Sequence, residues 1–256
     1  MKLGMPQLFE YDDIEDNFRL AQKLGLDFIE FNMNFESCRE GLFDDTIKNL
    51  AEQYSKEITL HFYDEADFGS YPEITRGYLM LLDKYASLGQ GFVKQMNVHL
   101  ISGPVVTIAG KKNYIYEKEY SRYTSRLLYN LGKARKICKK YGINLVIENT
   151  ENMPHFMKKV YMELFHMDFR FCYDIGHDYV SNYLLEYMLN ECALPFDEFH
   201  IHDAKNRTKC HLALGEGVVD LKYFKYLAES YQSSYVVIEV KQESDLVTSI
   251  PYFRNL

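Results

Sequence analysis

Gly142-Ile143-Asn144-Leu145-Val146-Ile147-Glu148-Asn149 is the stretch from which the fold is read. The run Ile143 to Ile147 carries apolar residues on both faces of an extended chain, as a strand buried in a parallel sheet requires. It stops at a carboxylate. Before it, Lys118 to Lys140 reads as a long helix ended by Tyr141-Gly142. After it come a helix over Pro154 to Phe165 and a strand over Phe169 to Tyr173 that stops at Asp174. The same unit extends outward in both directions. Strands are expected at Lys2–Met5, Asp27–Phe31, Ile58–Phe62, Phe92–His99, Glu198–His202 and Tyr235–Val240. Helices are expected at Asp13–Leu24, Asp44–Tyr54, Glu73–Leu88, Tyr183–Cys192, Leu221–Tyr231 and from Ser244 onward. Leu100 to about Tyr116 reads as a long loop. Eight strand–helix units in one chain predict an α/β fold, a single (β/α)8 TIM barrel occupying residues 1–256. A doubly wound open sheet is the structural alternative, but no strand is followed by a GxGxxG or phosphate-loop pattern.

The chain has 256 residues, with 29 Lys and Arg against 37 Asp and Glu, a formal net charge of −8. That balance argues against a surface that tracks nucleic acid throughout. Met1 to Gln7 shows no charged and apolar sequence of a signal peptide, and no stretch is apolar for long enough to span a membrane. Cys38, Cys138, Cys172, Cys192 and Cys210 are odd in number and widely spaced, which points to a reducing cytoplasm rather than a disulfide framework.

Barrel enzymes gather their chemistry at the C-terminal ends of the strands. Here those ends carry Glu30, His61, His99, Glu148, Asp174, His200 with His202, and Glu239, followed closely by His177 and His211. Six of the eight histidines are in this set, His155 and His166 being the other two. Carboxylates and imidazoles buried together without a cation would be costly, and a divalent ion relieves the repulsion. Glu148, Asp174, His200 and Glu239 are the expected common ligands. His61, His99 and His211 are expected to form an additional, weaker site. His202 shares the strand face of His200 and is expected to line the pocket, and Glu30 stands at the pocket or in an ion pair. Gly215-Glu216-Gly217 closes the loop after the two-histidine strand, with Glu216 placed to orient a ligand. Lys94, Lys205, Arg207 and Lys209 are candidates for a phosphate group.

Ile147-Glu148-Asn149, Tyr173-Asp174-Ile175-Gly176-His177, His200-Ile201-His202-Asp203-Ala204-Lys205, the segment His211 to Gly217 and Val237-Ile238-Glu239 together resemble the xylose-isomerase-like TIM-barrel superfamily over essentially the whole chain. That group includes sugar-phosphate isomerases and epimerases and the endonuclease IV-like enzymes of AP endonuclease family 2. In the isomerase branch the resemblance implies one divalent ion, manganese or zinc, on Glu148, Asp174, His200 and Glu239. Glu148 and Glu239 then act as catalytic acid and base through a metal-stabilised enediolate, and His177 contacts the substrate; His202, Lys205 and Glu30 are the further residues expected to bind a carbohydrate. In the nuclease branch it implies up to three ions on His61, His99, Glu148, Asp174, His177, His200, His211 and Glu239, acting at abasic sites in DNA. A ninth ligand of that branch, an aspartate, is replaced by Lys209. The loop Phe62 to Asp67 is acidic where a duplex would need cations. Loop chemistry selects substrate on a shared barrel, so the small-molecule isomerase or epimerase is the preferred expectation and the nuclease the alternative.

Overall fold

Alternation of short extended runs with amphipathic segments produces ten strands among the described residues of the computed structural model, which are 1–186, 194–206, 209–231 and 235–256. They are β1 (Lys2–Pro6), β2 (Phe28–Asn32), β3 (Glu57–His61), β4 (Val93–His99), β5 (Val105–Ile108), β6 (Lys111–Tyr114), β7 (Asn144–Glu148), β8 (Arg170–Asp174), β9 (Phe196–Ile201) and β10 (Tyr235–Ile238). Eight of them form a closed parallel barrel in the order β1-β10-β9-β8-β7-β4-β3-β2, so the expected single (β/α)8 barrel is the fold. Strands β5 and β6 pair antiparallel as a separate hairpin. The segment read as a long loop therefore contains a β-hairpin, turning at Ala109 and Gly110, both with positive φ. A helix at Glu36–Phe43 was likewise not anticipated. The helix expected over Tyr183 to Cys192 falls largely outside the described residues, as do Cys192 and Arg207. No described helix is long and apolar enough to cross a membrane.

Successive side chains of a strand point to opposite faces, and here the two sets differ in chemistry. Ile29, Phe31, Ile58, Leu60, Met96, Val98, Ile147, Phe171, Phe199, Ile201 and Val236 all join one buried apolar core with the helices. The helix Ile14–Lys23 shows how the outer layer is specified: Asp13 caps it by accepting from Glu15 N, and Phe18 and Ala21 are fully buried. The alternate strand residues fill the barrel. At its N-terminal end Phe28, Tyr235 and Val237 make a separate apolar plug, with the Phe28 and Tyr235 rings 4.9 Å apart. Lys2 and Glu57 pair at 2.6 Å over that end. Lys94, a phosphate candidate, belongs to this end, where its charge acts on Glu57, and not to the strand ends that carry the site. Above the plug lies a polar layer of Glu30, Thr59, Gln95 and Glu198, all buried. Above that, at the C-terminal ends, are the histidines and carboxylates.

Candidate metal centre

The ends of β7 and β8 are locked together by one amide. Asn149 Nδ2 donates to the carbonyl of Asp174 at 2.8 Å, and Asn149 Oδ1 accepts from Asp174 N at 2.9 Å. This fixes Glu148 and Asp174 side by side. Asp174 caps the short helix that follows, accepting from His177 N at 2.7 Å. Register places His200 of β9 opposite Asp174, and Glu239 follows β10 with its amide bonded to the carbonyl of Ile201.

These four residues present donor atoms that all lie within 4.8 Å of one another. His200 Nδ1 is 3.2 Å from Glu148 Oε1 and 3.2 Å from Glu239 Oε2. His200 Nδ1, Asp174 Oδ2 and Glu239 Oε2 are nevertheless buried with no hydrogen-bond partner. Buried polar atoms that converge on one point and find no well-directed hydrogen bond there are the arrangement that a cation satisfies, so the residues fit a divalent ion of the His-plus-carboxylate kind. The remaining oxygens are held by the protein. Glu148 Oε2 accepts from Asn97 Nδ2 and lies 3.2 Å from His61 Nε2. Glu239 Oε1 pairs with Lys241 Nζ at 2.8 Å and His211 Nε2 at 3.3 Å. Burial alone would raise the affinity of Glu148 for its proton, but His200, His61 and His99 outweigh it and hold the carboxyl well below the usual range. Lys241, His211 and His200 do the same for Glu239 against its burial. Both carboxylates are therefore kept ionised.

Around this centre the other expected residues sort into distinct positions. His61 and His99 stand edge to face, 4.6 Å apart, beside Glu148. His211 stacks on His202 at 4.1 Å and lies 5.4 Å from His177. The three histidines expected to share an additional site are thus distributed to two sides of the centre. His202 was expected at the pocket surface, but it is fully buried behind Asp174. His211 N donates to its Nδ1 at 2.9 Å, which leaves Nε2 to face Asp174 Oδ1 at 3.1 Å. It positions a candidate ligand rather than touching the cavity. Gly176 permits this, because a Cβ there would run into the His202 ring. Lys205 is exposed on the loop after β9 and is not among the described residues lining the cavity. Glu216 is exposed as well, on a loop whose shape depends on Asp203. That carboxylate accepts from the amides of Ala204, Gly215, Gly217 and Val219 and holds the loop closed. Glu30 lines the cavity floor, its Oε1 3.4 Å from His200 Nε2.

Several neighbours were not anticipated. Glu198 lies beneath His200, bonded to Gln95 at 2.7 Å, and burial with the nearby Glu30 pushes its carboxyl up to about 8. Asn97 and Gln95 precede His99 by two and four residues, and Glu198 precedes His200 by two, so period-two alternation marks all three. Cys172 packs against Glu148 and His200. Asp64, in the acidic loop, turns inward to His61 Nδ1 at 3.1 Å. Above the centre opens a cavity of about 580 Å³, walled by His61, His99, His177, His211 and Glu239, with Phe9 and Phe35 at its rim.

Comparison with known proteins gives a consistent picture. The profile of the family described as xylose isomerase-like TIM barrel matches residues 18–256. An uncharacterised protein of Methanocaldococcus jannaschii is 22% identical over 183 residues, covering 69% of this chain and 67% of that protein. A D-tagatose 3-epimerase-like protein superimposes with a TM-score of 0.79 at 18% identity, covering 100% of this chain and 96% of that one. A 3-keto-D-glucoside 4-epimerase of E. coli gives 0.74 at 15% identity with both chains covered to 100%. The IolI protein with a bound zinc atom gives 0.69 at 17% identity, covering 99% and 94%. At these identities the likeness establishes the shared fold.

Proposed function

The chain belongs to the xylose isomerase-like TIM barrel family, and from that premise we propose that it is a divalent-metal-dependent isomerase or epimerase of a sugar or sugar phosphate. The observation that carries this reading is the convergence of Glu148 with the unpartnered His200 Nδ1, Asp174 Oδ2 and Glu239 Oε2 beneath a cavity of about 580 Å³. Manganese or zinc suits that donor set. Bound there, the ion would supply Lewis-acid stabilisation to substrate oxygens.

The chain's own residues do the rest. Glu148 and Glu239 stand on either side of His200, each with one oxygen tied to donors, so their carboxyl planes are fixed. One removes the proton from the carbon beside a carbonyl and the other returns it; delivery from the opposite face gives epimerisation. His177 and Glu30 are placed to bind hydroxyl groups. Phe9 and Phe35, with rings 5.9 Å apart, offer an apolar wall to the C–H face of a sugar ring. The names of the D-tagatose 3-epimerase-like and 3-keto-D-glucoside 4-epimerase structures agree with a carbohydrate substrate.

A second reading is kept because His61, His99, His177 and His211 surround the same centre. A multi-ion phosphodiesterase acting at abasic sites would use such a set. The inward turn of Asp64 and the acidity of its loop disfavour a duplex. The test is deuterium uptake from solvent into a panel of ketoses, aldoses and their phosphates, read by mass spectrometry. Uptake beside the carbonyl, abolished by chelator and by Glu148→Gln, is the expected result. No uptake across the panel, together with metal-dependent incision of an abasic duplex that Glu148→Gln removes, would replace the isomerase with the nuclease.

A further inference from the structure

Outside the four-residue centre, a second group of dissimilar donors meets at the rim of the barrel mouth. Cys210 Sγ lies 2.8 Å from Glu151 Oε1 and 3.2 Å from His211 Nδ1, and one donor atom from each of the three lies within 4.8 Å of the others. Glu151 comes from the loop after β7, and Cys210 and His211 from the loop after β9. His177 approaches the same carboxylate, with Nε2 3.9 Å from Glu151 Oε1. Its Nδ1 faces the carbonyl of Asn149 at 3.1 Å, so Nε2 is the ring nitrogen turned toward Glu151. We propose that Glu151, Cys210 and His211 form a separate site for a thiophilic divalent cation such as zinc, beside His177 at the cavity wall.

Several observations agree with this. A tetrahedral ion with bonds of about 2.0–2.3 Å sets its ligands roughly 3.3–3.8 Å apart; His211 Nδ1 is near that spacing from Cys210 Sγ at 3.2 Å, while Glu151 Oε1, now accepting the S–H bond at 2.8 Å, would move outward as the ion replaces the proton. A thiolate, an imidazole and a carboxylate form a set that prefers zinc to magnesium or calcium. Binding forms bonds from the ion to sulfur, nitrogen and oxygen and breaks the S–H bond, the proton leaving to solvent. His211 uses both ring nitrogens. With Nδ1 on the ion, its proton is confined to Nε2, which faces Glu239 Oε1 at 3.3 Å. The outer ion therefore orients a carboxylate of the inner centre and ties two loops of the mouth together. The inference depends on the geometry around His211 and not on the isomerase reading.

Cobalt(II) titration of the protein tests it without recourse to activity. A near-ultraviolet sulfur-to-cobalt charge-transfer band is expected, lost in Cys210→Ser and retained in Cys192→Ser. Glu151→Gln should weaken cobalt binding at this site by about tenfold or more, the scale on which metal sites respond to such changes. Cys210 is half-buried, so the variant is expected to keep the wild-type circular dichroism spectrum. Protection of Cys210 from alkylation by zinc, mapped by mass spectrometry, is the second expected readout. A band that persists in Cys210→Ser, as Cys172 would give, or the absence of any band at saturating cobalt, overturns the proposal. Either result leaves the inner centre standing.

Discussion

Gly176 shows how little room surrounds the candidate ligands. A Cβ at this position would collide with the His202 ring, and that ring holds Asp174 in place. Gly176→Ala is therefore expected to displace His202 and lower metal affinity about 10–100-fold, the usual effect of disturbing a residue behind a ligand. It should also cost roughly 1–3 kcal/mol of stability through overpacking. Calorimetric titration with zinc and urea unfolding measure the two effects, and wild-type affinity would contradict the positioning role of His202. Residue by residue, the strand-end carboxylates and histidines were legible because a barrel collects its strand ends at one mouth. Glu198, Asn97 and Gln95 were equally legible from alternation, which continues down the same faces. Glu151 and Cys210 were not. They are 59 residues apart and meet only because two loops fold over the same mouth.

Among elements, the loop after β9 depends on one carboxylate. Asp203 accepts from four amides, and Gly217 is needed because a Cβ would meet Asp203 itself. Asp203→Ala is expected to lower stability by about 3 kcal/mol, the scale of losing charged hydrogen bonds to partly buried donors. Hydrogen exchange of the Gly215, Gly217 and Val219 amides should rise at the same time. Unchanged exchange would mean that the loop is held by other contacts, such as Leu214 N to Ser249 Oγ. The barrel strands were readable because each is a short apolar run with a polar stop. The β5–β6 hairpin was not: Val105 to Ile108 are exposed on both faces, so no alternation marks them, and Ala109 takes a left-handed φ that its residue type does not announce. Glu36–Phe43 is short, contains Gly41 and has no side-chain cap, so its start carries no signal.

At the scale of the whole molecule, the barrel has one apolar end and one ionisable end. Phe28, Tyr235 and Val237 close the first, and the second concentrates carboxylates and imidazoles in a buried space. Without a cation that concentration leaves orphaned donors and acceptors, so metal binding is expected to raise stability. Zinc or manganese at about 100 times its dissociation constant is expected to add about 2.7 kcal/mol to the unfolding free energy. Chelator should lower the melting temperature accordingly, and Glu239→Gln should remove most of the difference. A melting temperature indifferent to both metal and chelator would contradict the linkage.

The most direct test of the account is anomalous diffraction from crystals equilibrated with zinc or manganese. The strongest peak is expected within about 2.0–2.3 Å of donor atoms from Glu148, Asp174, His200 and Glu239, and it should be lost in Glu239→Gln. A saturated crystal with no peak among these four residues, or with Asp174 and His200 turned away from the ion, would contradict it.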